Sequence, residues 1–261
     1  MPQIEKHEPG SLCWIELGTT DQNAAKQFYT SLFGWSAQDS PMGPNAFYTM
    51  FSLEGRNCAA AYTLDQKAQG APPHWMLYVA TDNADETAAK ATKAGGKVMA
   101  GPFDVFIFGR MAVIQDPTGV VFSIWQPNTH PGTQIEGIPG TLCWADLMTP
   151  DADRAKQFYS DVFGWQIAAG ENDSSGYLHI KNGDKYIGGV PPAAHRNPNA
   201  PPHWLAYFLV ASCDESTAKA KELGARAYVE PMTIEHVGRW SVLADPQGAV
   251  FAAFESMMHP G

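Results

Sequence analysis

The sequence has few charged residues, and it lacks any cluster of positive ones. Of its 261 residues, 17 are lysine or arginine and 27 are aspartate or glutamate, which gives a formal net charge of −10. Nucleic acids and anionic membrane surfaces are bound by clustered cationic side chains. We therefore expect neither nucleic acid nor a membrane as a partner.

Long apolar runs and paired cysteines are also scarce. The longest apolar run, 204–211, is much shorter than the ~20 residues that a membrane-spanning helix needs. The first ten residues lack the cationic stretch and apolar core of a secretory signal. The four cysteines are too few for a disulfide scaffold and form no CxxC motif. We expect a reducing compartment, and hence a cytoplasmic protein.

The chain contains an internal repeat. Residues 9–36 and 139–166 are identical at 16 of 28 aligned positions, and both include the sequence A-K-Q-F-Y. The similarity continues further along, where P-P-H-W occurs at 72–75 and again at 201–204. Repetition of a long unit in the same order predicts a tandem duplication of one structural domain.

The repeat also predicts where one copy ends and the next begins. The tripeptide H-P-G occurs at 130–132 and again at 259–261, and the segment 127–139 is rich in proline and glycine. Such segments are typical of linkers between domains. We therefore predict two domains, at residues 1–130 and 137–261.

Each copy shows the same order of secondary structure. The segment 12–18 alternates in the manner of a strand, and Asp21 precedes a helical pattern that Gly34 ends. Extended runs follow at Phe47–Leu53 and Asn57–Thr63, after which a second strand and helix begin. The order predicts two βαβββ modules in each copy and an α+β fold with four modules in all.

Two motifs carry a resemblance to a known family. They are D-x-x-x-A-x-x-F-Y-x-x-x-F-G-W after the first strand and D-P-x-G-x-x-F near the last, and both occur in both copies. Together they resemble the vicinal oxygen chelate superfamily, which includes glyoxalase I, extradiol dioxygenases and bleomycin resistance proteins. The chain looks most like its two-domain bacterial glyoxalase-like members. The resemblance implies that paired βαβββ modules form a half-barrel around a ligand cavity, giving two half-barrel domains.

The same resemblance implies a metal site at positions where this sequence has unsuitable residues. The implied ligand positions on the first, fifth and last strands of the two copies hold Trp14, Met76, Ser123, Trp144, Leu205 and Ala252. These side chains cannot provide a divalent cation with three or four nitrogen or oxygen ligands. We therefore expect no metal and no other cofactor.

Side chains two residues apart on a strand share a face, which predicts the walls of the two cavities. They are Trp14, Glu16, His74, Met76, Tyr78, Ser123 and Trp125 in the first copy, and Trp144, Asp146, His203, Leu205, Tyr207 and Phe254 in the second. Such walls suit a small apolar or aromatic molecule held by a few polar contacts. The first set is bulkier and more polar, so we expect ligands to prefer the first cavity. The same alternation predicts Cys13 and Cys143 on the opposite face, in the core.

These residues allow more than one function. The first hypothesis is a metal-independent protein that binds a small molecule. The alternative is a lyase or isomerase in which Glu16 or Asp146 acts as a general base beside His74 or His203. A third is a metalloenzyme with ligands at other positions. The tryptophans can equally be core residues, and the histidines can be structural. We expect a monomer whose halves mimic a dimer, or a weak homodimer.

Overall fold

A computed structural model of the chain describes residues 3–44, 46–64, 70–171, 173–197 and 199–257. The second H-P-G segment, 259–261, lies outside these ranges. The elements of the first half are β1 (Leu12–Thr19), α1 (Gln22–Phe33), β2 (Ser36–Gly43), β3 (Ala46–Leu53), β4 (Arg56–Thr63), β5 (His74–Ala80), α2 (Ala84–Lys93), β6 (Lys97–Val105), β7 (Gly109–Gln115) and β8 (Val121–Pro127).

The second half repeats this order of strands and helices. Its elements are β9 (Leu142–Met148), α3 (Ala152–Phe163), β10 (Gln166–Ala169), β11 (Leu178–Asn182), β12 (Lys185–Val190), β13 (His203–Leu209), α4 (Cys213–Glu222), β14 (Arg226–Ile234), β15 (Gly238–Ala244) and β16 (Val250–Ser256). Among the described residues, none of the helices has the length and apolarity to cross a membrane.

Each half forms one eight-stranded mixed sheet. The strand order is β2-β3-β4-β1-β5-β8-β7-β6 in the first half, and the second half has the equivalent order β10-β11-β12-β9-β13-β16-β15-β14. Each half therefore contains two βαβββ modules that join side by side, where β1 pairs with β5 and β9 with β13. The predicted α+β fold with a tandem duplication is confirmed.

The shared sequence motif starts and ends the first helix of each half. The Asp21 carboxylate accepts a hydrogen bond from the backbone N–H of Ala24 over 3.0 Å, and Asp151 caps α3 in the same way. Such caps satisfy backbone donors at the start of a helix. At the other end, Gly34 and Gly164 adopt positive φ angles of 72° and 73°, a conformation that favours glycine.

The two halves share one hydrophobic core, formed by the helices and the helix-covered faces of both sheets. Buried side chains cross between the halves in a reciprocal pattern. The indole N–H of Trp35 donates to the carbonyl oxygen of Gly140 over 2.9 Å, and Trp165 donates to Gly10 over the same distance. Reciprocal contacts of this kind are what a twofold relation between two similar units produces.

The segment that connects the halves packs against the first sheet. The backbone N–H of Thr133 donates to the carbonyl oxygen of Cys13 in β1 over 2.7 Å. The backbone N–H of Gln134 donates to the carbonyl oxygen of Asn57 in β4 over 2.8 Å. The connection therefore runs between the two strands at the end where they are not paired with each other. It also brings His130 onto the first sheet.

The structure corrects the predicted orientation of two cysteines. The register shifts by one residue between Leu12 and Trp14 in β1, and again between Leu142 and Trp144 in β9. These β-bulges interrupt the alternation of side chains. Cys13 and Cys143 therefore pack with the residues of the face opposite to the helices. Burial raises the pKa of the Cys143 thiol to about 12, which disfavours the reactive thiolate.

Candidate ligand-binding site

Each sheet has one face covered by helices and a second face, called here the helix-free face. Strand alternation and register put all the predicted wall residues on the helix-free faces. In the first half, Trp14, Tyr78 and Trp125 pack together, with Met76 against them. In the second half, Leu205 and Tyr207 pack with Trp144 and Phe254 around them.

The two strand-starting histidines do not pair with the carboxylates. Nδ1 of His74 lies 2.8 Å from the carbonyl oxygen of Pro72, and Nδ1 of His203 lies 2.8 Å from that of Pro201. Because a carbonyl oxygen only accepts, each Nδ1 carries a proton. Burial lowers the pKa of His203. The predicted acid–base pair of carboxylate and histidine is therefore not formed.

The carboxylates instead bind tyrosines. In the first half, the hydroxyl of Tyr48 donates to Oε1 of Glu16 over 2.5 Å, and that of Tyr78 donates to Oε2 over 2.5 Å. Glu16 lies on β1, Tyr78 lies on the neighbouring strand β5, and Tyr48 lies on β3, which is separated from β1 by β4. We call Glu16, Tyr48 and Tyr78 the Glu16 cluster.

The second half contains the same arrangement with a shorter acid. The hydroxyls of Tyr177 and Tyr207 donate to the two oxygens of Asp146 over 2.5 and 2.7 Å. The indole N–H of Trp144 also donates, to Oδ1 of Asp146 over 3.2 Å and to the Tyr177 oxygen over 2.9 Å. These four residues form the Asp146 cluster.

Burial disfavours the charged form of the carboxyl group in both clusters. Desolvation raises the pKa of Glu16 and of Asp146, although hydrogen bonds from the tyrosines oppose the rise. Burial and the nearby carboxylates also raise the pKa of the partner tyrosines. Each tyrosine therefore stays protonated, and its hydroxyl donates a hydrogen bond to the carboxylate.

The raised pKa of Asp146 predicts a pH dependence of stability. Its folded-state pKa lies above the unfolded value of about 4, so the folded protein binds this proton more tightly. The contribution to stability is therefore present below pH 4 and is lost as the pH rises through the raised pKa. Between about pH 4 and the raised pKa, the unfolding free energy of the wild type should therefore fall as the pH rises. Asparagine cannot lose this proton, so we expect the slope for Asp146→Asn to be shallower by up to about 1.4 kcal/mol per pH unit. Urea unfolding at a series of pH values measures it, and identical slopes would contradict the expectation.

The helix-free face of the first half is closed by His130. Its imidazole lies edge-on to Trp14 and Trp125, with centroid distances of 4.6 and 5.9 Å. The indole N–H of Trp125 donates to the His130 carbonyl oxygen over 2.9 Å. Trp14 and Trp125 are consequently only 3% and 6% exposed. Burial lowers the pKa of His130 to about 4, so the ring is uncharged at neutral pH.

The helix-free face of the second half is more open. Trp144, the equivalent of Trp14, is half-buried, as are His179, Trp240 and Phe254. The ring of His179 lies edge-on to Tyr177 at 5.1 Å and to Trp144 at 6.4 Å. Aromatic side chains from several strands thus surround the Asp146 cluster and remain partly accessible.

A family model matches both halves of this chain. It describes the Glyoxalase/Bleomycin resistance protein/Dioxygenase superfamily and matches residues 11–124 and 141–252. The chain belongs to this superfamily. The resemblance inferred from the sequence motifs is confirmed.

Three known proteins are similar to this chain over nearly its full length. CFP32 of Mycobacterium tuberculosis, whose name includes the word glyoxylase, is 41% identical over 98% of each chain. The anthracycline biosynthesis protein DnrV of Streptomyces peucetius is 34% identical over 97% of this chain and 95% of its own. The Mn(II)-bound glyoxalase from Novosphingobium aromaticivorans has a TM-score of 0.66 at 18% identity, over 96% of this chain and 83% of its own. This last likeness shows the fold alone.

The metal site of the superfamily does not fit the residues of this chain. Within the described ranges, no three His, Cys, Asp or Glu side chains come together as a metal-binding group. The nearest carboxylates, Glu16 and Asp146, already accept hydrogen bonds on both oxygens. At the last-strand position, Ser123 is fully buried, and its hydroxyl has no hydrogen-bond partner among the described residues. The tyrosine–carboxylate clusters occupy these regions instead.

Sequence reasoning missed several residues of the candidate site. They are Tyr48, His130, Tyr177, His179 and Trp240. Tyr48 lies on β3 two residues before Met50, and Tyr177 lies just before β11, two residues before the equivalent His179, so the repeat itself could have revealed them. His130 could not be found in this way, because it lies in the connecting segment rather than on a strand.

Proposed function

We propose that the protein binds a small, largely apolar aromatic molecule on the helix-free face of its second half, without a metal ion. The observation that carries this proposal is the partly accessible aromatic wall around the Asp146 cluster. Ligand sites of this kind combine apolar and aromatic surface with a few fixed polar groups. Trp144 supplies an indole face for stacking, and Trp240 and Phe254 extend the wall.

The second half is preferred over the first because of accessibility. Comparison of the two residue sets in sequence favoured the first half, where the side chains are larger. In the structure, however, Trp14 is 3% exposed beneath His130, whereas Trp144 is half-buried. The second indole therefore keeps accessible surface that a ligand can contact, whereas the first is covered by His130.

The structure offers little support for the alternative function of a lyase or isomerase. That hypothesis needed a carboxylate that abstracts a proton beside a histidine. Both oxygens of Glu16 and of Asp146 already accept hydrogen bonds from tyrosines. His74 and His203 are bound to proline carbonyls. The carboxylates therefore hold the wall in place rather than face a substrate.

The names of two relatives are compatible with a small-molecule ligand. DnrV is named for the biosynthesis of anthracyclines, which are polycyclic aromatic compounds, and CFP32 is named as a glyoxylase. An aromatic ligand for this chain agrees with the first name. Metal-centred glyoxalase chemistry, by contrast, finds no suitable ligand set at the superfamily positions.

A calorimetric titration with 2-naphthylmethanol tests the proposed function. We expect Trp144→Ala to weaken binding by about 1–3 kcal/mol, the value of one buried side chain of apolar contact. The matched variant Trp14→Ala should have a smaller effect on affinity. EDTA should leave the wild-type affinity unchanged. No binding of naphthalene compounds to the wild type, or equal affinities in all three proteins, would refute the proposal.

A further inference from the structure

The directions of the hydrogen bonds in the Asp146 cluster determine what it can offer a ligand. The hydroxyls of Tyr177 and Tyr207 and the indole N–H of Trp144 all donate within the cluster. A phenol or an indole has only one such proton. The donors of the cluster are therefore already used, and only acceptor lone pairs, aromatic faces and negative charge remain.

His179 adds a further unused group to this face. Its Nδ1 atom is buried, and no hydrogen-bond partner for it exists among the described residues. The imidazole lies next to Tyr177 and Tyr186, at centroid distances of 5.1 and 5.3 Å. A buried ring nitrogen without a partner costs free energy. A ligand with an N–H or O–H group can remove this cost when the nitrogen is in its acceptor form.

The charges around His179 favour a positive ligand. Two acidic residues, Asp146 and Asp173, lie within electrostatic range of this imidazole. A positive charge also lies at the adjoining ring, where the ammonium of Lys181 is 4.4 Å from the Tyr186 centroid. This contact is a cation–π interaction, so an aromatic ring of the same region already holds an ammonium group. Two carboxylates against one ammonium leave the site negative when both carboxyls are ionised.

The first half lacks this combination. Strand pairing puts His179 beside Gly189, which pairs with Asp146. The equivalent chain of residues in the first half is Met50 and Ala60, beside Glu16. A side chain at Gly189 would collide with the phenol of Tyr177, so glycine at this position leaves the space that the tyrosine ring occupies. An imidazole at this strand position is therefore found in the second half, whereas the imidazole on the first face, His130, comes from the connecting segment and covers Trp14.

We propose that the second-half site selects an organic cation, namely a protonated amine carried by an aromatic or apolar group. The inference rests on the proposed function and names its ligand class. The ammonium N–H groups donate to Nδ1 of His179 and to phenol oxygens, while the aromatic faces stabilise the positive charge and the Asp146 carboxylate adds to this attraction when it is ionised. An anionic ligand of the same size finds neither a donor nor a compensating charge in the cluster.

Three naphthalene compounds of similar size test this proposal by calorimetry at pH 7. They are 2-naphthylmethylamine, 2-naphthylmethanol and 2-naphthoate, which are positive, neutral and negative. We expect the amine to bind about tenfold more tightly than the alcohol, and the alcohol more tightly than naphthoate. Naphthoate affinity equal to or above that of the amine would overturn the proposal.

Variants assign the preference to the site. His179→Met introduces the residue that the first half has at this position, and His179→Gln keeps a polar group if the methionine variant does not fold. Either variant should reduce the ratio of amine to alcohol affinity several-fold, whereas Met50→Leu in the first half should not change it. An unchanged ratio in the His179 variants would overturn the assignment.

The outcomes separate the two proposals. If the wild type binds none of the three compounds, the proposed function fails and the ligand class fails with it. If the alcohol binds at Trp144 but the amine binds no more tightly, the proposed function stands and only the selection of cations is wrong.

Discussion

Replacing Asp146 with alanine is expected to lower the free energy of unfolding by about 3–5 kcal/mol. The carboxylate accepts hydrogen bonds from Tyr177, Tyr207 and Trp144, and it is 4% exposed. Alanine leaves these donors in a buried region without their acceptor. Each unsatisfied group costs about 1–3 kcal/mol, and the loss of several together accounts for the size of the effect.

A matched variant controls for the general effect of changing the helix-free face. Ser123 is also fully buried there, but its hydroxyl finds no partner in the part of the chain that the structure describes. The second half has Ala252 at the equivalent position. Ser123→Ala should therefore leave stability unchanged or raise it slightly. Urea unfolding followed by circular dichroism measures both variants. If Asp146→Ala proved as stable as Ser123→Ala, the cluster would not hold the wall.

The second large effect is expected at the boundary between the halves. Asp245→Ala should lower the free energy of unfolding by about 3–4 kcal/mol. One oxygen of Asp245 accepts the backbone N–H groups of Gln247, Gly248 and Ala249 over 2.8–2.9 Å. The other accepts the hydroxyl of Tyr29 from the opposite half over 3.0 Å. The substitution removes the side-chain acceptor that stabilises the turn and, with it, a hydrogen bond between the halves.

The equivalent turn of the first half provides the comparison. Asp116 binds the backbone N–H groups of Thr118 and Val120 and the Thr118 hydroxyl through one oxygen. Its other oxygen interacts electrostatically with Tyr159, the equivalent of Tyr29, but makes no hydrogen bond of normal geometry within the described part of the chain. Asp116→Ala should therefore cost less than Asp245→Ala in the same unfolding experiment. Equal losses would mean that the contact with Tyr29 adds nothing to stability.

Much of the fold could be predicted because its signals are local and occur twice. Helix caps at Asp21 and Asp151 and alternating strands are properties of short segments, and the repeat confirmed each by its copy. The strand β2 is different. Its residues are all exposed, include Pro41 and show no apolar alternation. It exists because it pairs with β3, and pairing over distance is not visible in the strand's own sequence.

The candidate site was predictable only in part, for the same physical reason. Alternation correctly put Trp14, Glu16 and Tyr78 on one face, since the pairing of β1 with β5 is regular from Trp14 and Tyr78 onward. It failed at Cys13, where a bulge adds one residue. It also could not join Glu16 to Tyr48, because this contact depends on the register of β3, β4 and β1 together.

The crossed indole contacts have a consequence for the isolated halves. Trp35 needs a carbonyl from the second half, and Trp165 needs one from the first, so a single excised copy would lack acceptors for its own buried donor. The surface that best replaces them is that of a second copy of the same kind. Covalent connection supplies this partner at a fixed ratio of one to one, and at an effective concentration that does not fall on dilution. The duplicated chain can therefore let its two copies diverge, as His179 and Met50 have, without losing their association.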